Sequence, residues 1–204
     1  MFDIVIRNAT IIDGTGAPSR FGDVAITGDR IVAVGEVAGA AHKEVDAGGL
    51  ALTPGFVDIH THYDGQVSWD SEMAPSSLNG VTSIVMGNCG VGFAPVRPEH
   101  HGRLIELLEG VEDIPGTALH EGLTWDWESF PDYLDAIDRR QYTIDIGTQV
   151  PHAALRVYVM GDRGVDHEAI PTDAERARME TLALEAVQAG ALGITCLLYT
   201  SDAA

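Results

Sequence analysis

Pro54-Gly55-Phe56-Val57-Asp58-Ile59-His60-Thr61-His62-Tyr63-Asp64 is the stretch on which the fold turns. Pro54-Gly55 marks a turn, Phe56–His60 reads as a short apolar strand, and that strand ends in two histidines at i and i+2. Residues two apart on a strand project from the same face, so both imidazoles converge on one point. Convergent imidazoles suit a divalent metal such as zinc. Asp58 shares their face and is placed to orient the imidazoles. If the strand lines a barrel, the histidines stand at its C-terminal mouth, where barrel enzymes keep their active sites. Two histidines exposed in a loop are the plain alternative, because two ligands do not close a metal site.

Outward from that stretch the chain changes period. Before it, Ile4–Asn8, Thr10–Ile12, Asp23–Ile26 and Arg30–Val34 are β-rich runs broken by Asp13-Gly14-Thr15-Gly16, Thr27-Gly28-Asp29 and Gly35. These predict a small antiparallel sheet with too little area to stand alone. Beyond it, Val81–Met86, Tyr142–Val150 and Ala191–Thr195 read as further strands. Helices are expected from Pro98 to about Glu112, after a Ser129 cap, and from Pro171 to Gln188 with Thr172 or Asp173 as cap and Gly190 past the end. Strand–helix alternation at this pitch implies βαβ units and a parallel sheet. Four parallel strands fit a barrel or an open doubly-wound sheet. The missing GxGxxG after the first strand weakens a dinucleotide-binding reading, and the antiparallel prefix followed by a strand ending in His-x-His favours the barrel.

Composition narrows the function. The 204 residues carry a formal net charge of −19, which disfavours binding to nucleic acid or to anionic membrane surfaces. No run of 18 apolar residues and no signal-peptide pattern opens the chain, and two cysteines build no disulfide framework. A cytoplasmic, reduced compartment is the expectation.

Cys89, in Gly87-Asn88-Cys89-Gly90, follows the second parallel strand as the histidines follow the first. Neighbouring strand ends lie about 5 Å apart, within reach of one metal. The other reading is a small buried hydrophobe. His152 follows the third strand and points to the same mouth, where it either touches substrate or is a turn histidine satisfied by backbone. Tyr63 and Asp64 either support the imidazoles or pack the loop. His100-His101 read as a solvated helix face, and Trp125 and Trp127 as packing at a helix start rather than a substrate wall.

Asp3–Ala9, Ile12–Gly16, Pro54–Asp58 and His60-Thr61-His62 together resemble the amidohydrolase superfamily. Within it, His60–Gln66, Trp69-Asp70, Gly87–Gly90, Val150-Pro151-His152, Leu155-Arg156 and Met160-Gly161 resemble the N-acyl-D-amino-acid deacylase (D-aminoacylase) family, and the likeness runs from residue 3 to about 195. The resemblance implies an α/β fold: a partial (β/α)8 TIM-type barrel of about four βα units, residues 53–195, preceded by part of a small β-sandwich, residues 1–52. It implies His60, His62 and Cys89 as ligands to one or two zinc ions, with Cys89 where related families use a carboxylated lysine. It also implies hydrolysis of N-acyl-D-amino acids, small-molecule substrates, by metal-activated water. The remaining histidine ligands and the catalytic aspartate are expected beyond residue 204.

Residues 196–204 depart from the family pattern and are expected to be a non-native tail. A half barrel leaves edges exposed, so the fragment is expected to be inactive alone and to self-associate. Two rivals remain. One is a cyclic amidohydrolase of dihydroorotase or hydantoinase type, which a lysine near the fourth strand would favour; the single lysine is Lys43. The other is a non-catalytic metal-binding fragment.

Overall fold

The computed structural model describes residues 1–112 and 114–196, for Val111 and Glu112 the backbone only. Residues 197–204 of the expected tail therefore lie outside the described residues. The chain divides into two compact units at Gly55/Phe56.

In the first unit, β1 (Phe2–Ile11), β2 (Arg20–Thr27), β3 (Arg30–Gly35), β4 (Ala41–Asp46) and β5 (Ala51–Leu52) form one sheet in the order β3-β2-β1-β4, with β5 also paired to β1. The expected antiparallel sheet is in fact mixed. β2 runs antiparallel to β1 and β3, whereas β4 and β5 run parallel to β1. Parallel pairing needs a return across the sheet, which the segment after β3 supplies; short turns alone would have predicted a meander. The expected break between Ile4–Asn8 and Thr10–Ile12 is a bulge inside the single strand β1. Asn8 takes a left-handed φ of 56° there, and the register with β2 shifts between Ile6 and Ala9. Arg7, on the inner strand β1, ties its two neighbours by donating to Asp23 of β2 at 2.9 Å and Glu44 of β4 at 3.1 Å. Ala9, Ile11 and Val24 form the unit's small core.

The second unit begins with β6 (Phe56–Asp58), followed by β7 (Val81–Met86), α1 (His101–Glu112), α2 (Gly116–Gly122), α3 (Phe130–Asp138), β8 (Asp145–Thr148), β9 (Val150–Pro151), α4 (His152–Met160), α5 (Asp173–Ala189) and β10 (Ile194–Thr195). β6, β7 and β8 are parallel neighbours, and β9 pairs in parallel with β10. The expected third strand is thus divided at Gln149. Its backbone changes partner there: Gln149 N–H donates to Met86 on one side, while Val150 N–H donates to Gly193 on the other. Pro151 has no N–H to continue a ladder, which keeps this second strip short. The strands follow one another in chain order across the strip, as in the opening half of a barrel.

Local sequence explains the helices. Ser129 accepts from the Asp132 N–H while Asp132 reaches back to the Ser129 N–H, and Thr172 and Glu175 repeat this capping box at the start of α5. Leu104, Ile105 and Leu108 of α1 and Phe130, Tyr133 and Ala136 of α3 bury their helical stripes in one core with Ile84, Met86 and Phe93. α2 and α4 were not evident from periodicity. α4 is apolar nearly all round, with Ala153 to Val157 buried, so it lacks an amphipathic signal. Arg156, 6% exposed, is satisfied inside by the carbonyls of Gly164, Asp166 and Ala169. No helix of the described residues is long and apolar enough to cross a membrane.

Candidate metal centre

Thr61 is the hinge of the site. β6 ends at Asp58, so His60-Thr61-His62 lie beyond the strand rather than on it, which corrects the strand-face argument. The histidines nevertheless stay beside β7, because both the backbone N–H and the hydroxyl of Thr61 donate to the Val85 carbonyl, at 3.0 and 2.9 Å. With Thr61 held toward the sheet, the two flanking imidazoles stand 5.4 Å apart between ring centroids. Asp58 accepts from the His60 backbone N–H at 3.1 Å, so its hold on His60 runs through the main chain, where an imidazole contact was expected.

β7 delivers the third group. Gly87-Asn88-Cys89-Gly90 coils tightly, with left-handed φ values of 82° at Gly87, 54° at Cys89 and 73° at Gly90. Gly87 is required: a Cβ there would run into the backbone of Gln149. Cys89 holds its left-handed φ without glycine's freedom, at a cost of about 1–2 kcal/mol. The turn brings Cys89 Sγ to 3.2 Å from His60 Nε2. One ligand atom from each of His60, His62 and Cys89 lies within 4.8 Å of the others. A tetrahedral zinc holds nitrogen and sulfur donors about 3.5 Å apart; the His60–Cys89 pair is near that spacing, and two imidazoles and a thiol are the donor types such an ion takes. Burial, and secondarily the neighbouring His60, lower the pKa of His62 and favour its neutral, metal-binding form. His60, Asn88, Cys89, Ile194, Thr195 and Cys196 border a cavity of about 340 Å³ beside the cluster.

Residues 43–198 match the family described as the amidohydrolase family. The chain belongs to that family. It is 37% identical over its whole length to a D-aminoacylase and 41% identical over 95% of its length to an N-acyl-D-aspartate deacylase, both from Alcaligenes xylosoxydans xylosoxydans. It spans 39% and 36% of their lengths. Among solved structures it superposes on a D-aminoacylase studied for its binuclear metal centre, with a TM-score of 0.80 and 34% identity over 97% of this chain and 39% of that one. An N-acyl-D-glutamate deacylase from Bordetella bronchiseptica, solved with zinc and a phosphonate mimic of the tetrahedral intermediate, gives 0.80 and 33% over 98% and 39%. The fold is therefore that of the D-aminoacylases, with partial barrel content.

The other predicted positions of this amidohydrolase-family chain fall less centrally. His152 opens α4 instead of ending a turn, and its Nδ1 lies 3.4 Å from Cys196 Sγ, a residue at the cavity rim. Tyr63 and Asp64 are buried, and the Tyr63 hydroxyl donates to Ser76 Oγ at 2.8 Å. His101 is not on a solvated face: it stacks on Trp125 with ring centroids 3.8 Å apart, and its buried Nε2 has no hydrogen-bond partner among the described residues. Trp127 packs as expected, 7% exposed, donating from Nε1 to the Phe93 carbonyl at 2.8 Å. Asn88 and Thr195 border the cavity without having been singled out. Asn88 lay inside the quoted cysteine motif, where a small polar residue in a glycine turn was the available signal.

Proposed function

We propose that this chain carries the first part of the active site of a zinc-dependent N-acyl-D-amino-acid deacylase, with His60, His62 and Cys89 holding one or two ions. The approach of two imidazoles and a thiol from separate strand ends, within 4.8 Å, carries this reading. The named relatives support the substrate class, N-acylated D-amino acids. When bound, zinc supplies the Lewis acidity that activates water and polarises an amide carbonyl. The chain's own contribution is placement. Thr61 fixes the imidazoles on the sheet, neutral His62 offers a lone pair, and Cys89 offers a thiolate, the form in which cysteine binds metal. His152 reaches toward substrate from the α4 start, and Asp58 shapes the His60 turn.

Residues 1–52 are the N-terminal part of a β-sandwich and 53–195 the first half of the barrel in this reading; the division at Gly55 agrees with it. The lone Lys43 lies on β4 in the first unit, so no lysine is available among 53–195 for the carboxylated-lysine chemistry of the cyclic amidohydrolase rival.

Metal analysis of the purified chain tests the site. Bound zinc that is lost with alanine at His60, His62 or Cys89 supports it, and metal content indifferent to all three changes overturns it. For a longer protein containing this chain, hydrolysis of N-acetyl-D-amino acids in preference to their L-isomers tests the substrate class, and equal rates on both overturn it.

A further inference from the structure

Asn88 is buried, 6% exposed, immediately before Cys89. Its amide Nδ2 donates to the Val85 carbonyl at 2.9 Å and reaches the Thr61 carbonyl at 3.4 Å. Thr61 also gives two hydrogen bonds to the Val85 carbonyl, so that one oxygen accepts from Thr61 N–H, Thr61 Oγ1 and Asn88 Nδ2 together. The two segments that carry the donors are thereby tied at a single point. Thr61 lies between His60 and His62, and Asn88 adjoins Cys89.

We propose that Asn88 is a positioning residue, whose side-chain amide sets the spacing between the histidine pair and the Cys89 thiol. This rests on the metal-ligand reading of His60, His62 and Cys89. The physical case is specific to an amide. Its two N–H groups face two carbonyls, an arrangement that a carboxylate of the same size reverses into repulsion. Without it, the Cys89 turn keeps its glycines but loses its tie to Thr61. The left-handed φ at Cys89 is a conformation that persists only while its surroundings hold it. Groups that orient ligands in this way typically change metal affinity by about 10–100-fold when removed.

Cobalt(II) titration of the purified 204-residue chain tests this, since a cysteine ligand gives a thiolate-to-cobalt charge-transfer band that reports geometry independently of activity. Asn88→Asp is expected to weaken cobalt binding about 10–100-fold and to diminish the band per bound ion, with the fold retained by circular dichroism. Asn88→Ala removes both donors without burying a charge; it carries the same expectation and decides the matter if Asn88→Asp does not fold. Asn79→Ala removes a comparable 2.9 Å bond, from Asn79 Nδ2 to the Pro75 carbonyl, and is expected to leave the titration unchanged. A folded Asn88 variant with wild-type affinity and band overturns the positioning role. If the unaltered chain and Cys89→Ala titrate alike, without the band, the metal-site reading itself falls, and the positioning role with it.

Discussion

His60 Nε2 lies 3.2 Å from Cys89 Sγ, although 29 positions separate them in the chain. The pairing follows from parallel neighbours: β6 and β7 end side by side, and each releases its donor within a few residues of its last ladder bond. Removing metal should therefore loosen both strand ends at once. Chelation is expected to lower the melting temperature of zinc-loaded protein, by about 2.7 kcal/mol of linkage when the ion was present at a hundred times its dissociation constant. Cys89→Ala should abolish that difference; calorimetry with and without chelator measures it.

Two glycines should respond oppositely to alanine. At Gly87 the φ of 82° alone costs about 1–3 kcal/mol, before the collision with Gln149, so Gly87→Ala should be strongly destabilising. Gly110 sits within α1 with nothing among the described residues within 4 Å of its missing Cβ, and Gly110→Ala should stabilise by about 0.4–1 kcal/mol. Urea melts of the two variants measure both signs.

Acid should weaken the fold through His101. Burial lowers its pKa from the ordinary 6.5, against a smaller opposing pull from Glu99. A depressed folded-state value means that the unfolded chain takes up the proton first. Its contribution is therefore complete above about pH 6.5 and is lost as pH falls through the lower, folded value. The loss of stability between pH 7.5 and 5 should shrink in His101→Gln. The imidazole resonances of His101, followed by NMR, should titrate below 6.5. His152 is lowered by the same main cause and should contribute in parallel.

Exposed strand ends should make the chain self-associate. Phe56 and Val57 on β6 are 63% and 62% exposed, and Ile194 on β10 is 51% exposed. Unpaired edges carrying apolar side chains recruit further strands. Size-exclusion chromatography should show species larger than one chain that increase with concentration. A monodisperse monomer across the range contradicts the expectation.

The clustering of His60, His62 and Cys89 was legible because each lies within four residues of a β-rich run, and adjacent strand ends of a parallel sheet are obliged to be neighbours. What holds them in place was not. Thr61 and Asn88 act through one carbonyl, that of Val85, and no spacing rule in a sequence marks a backbone acceptor. The division of the third strand at Gln149 was hidden for a related reason. Tyr142–Val150 is continuously β-compatible, and only its hydrogen-bond partners reveal that it serves two neighbours in turn. His101 misled because polar residues at a helix start are usually wet, whereas here Trp125 covers the ring. β4 went unread since Ala41–Asp46 is polar and exposed nearly throughout.

The left-handed backbone of Cys89 has a last consequence. Its thiol is held in place against the preference of its own main chain, so under the proposed ligand role chemistry and foldability compete at one residue. Cys89→Gly should relax the turn and make the metal-depleted chain more stable than Cys89→Ala by about 1 kcal/mol. The best residue for folding here and the best residue for chemistry are different amino acids.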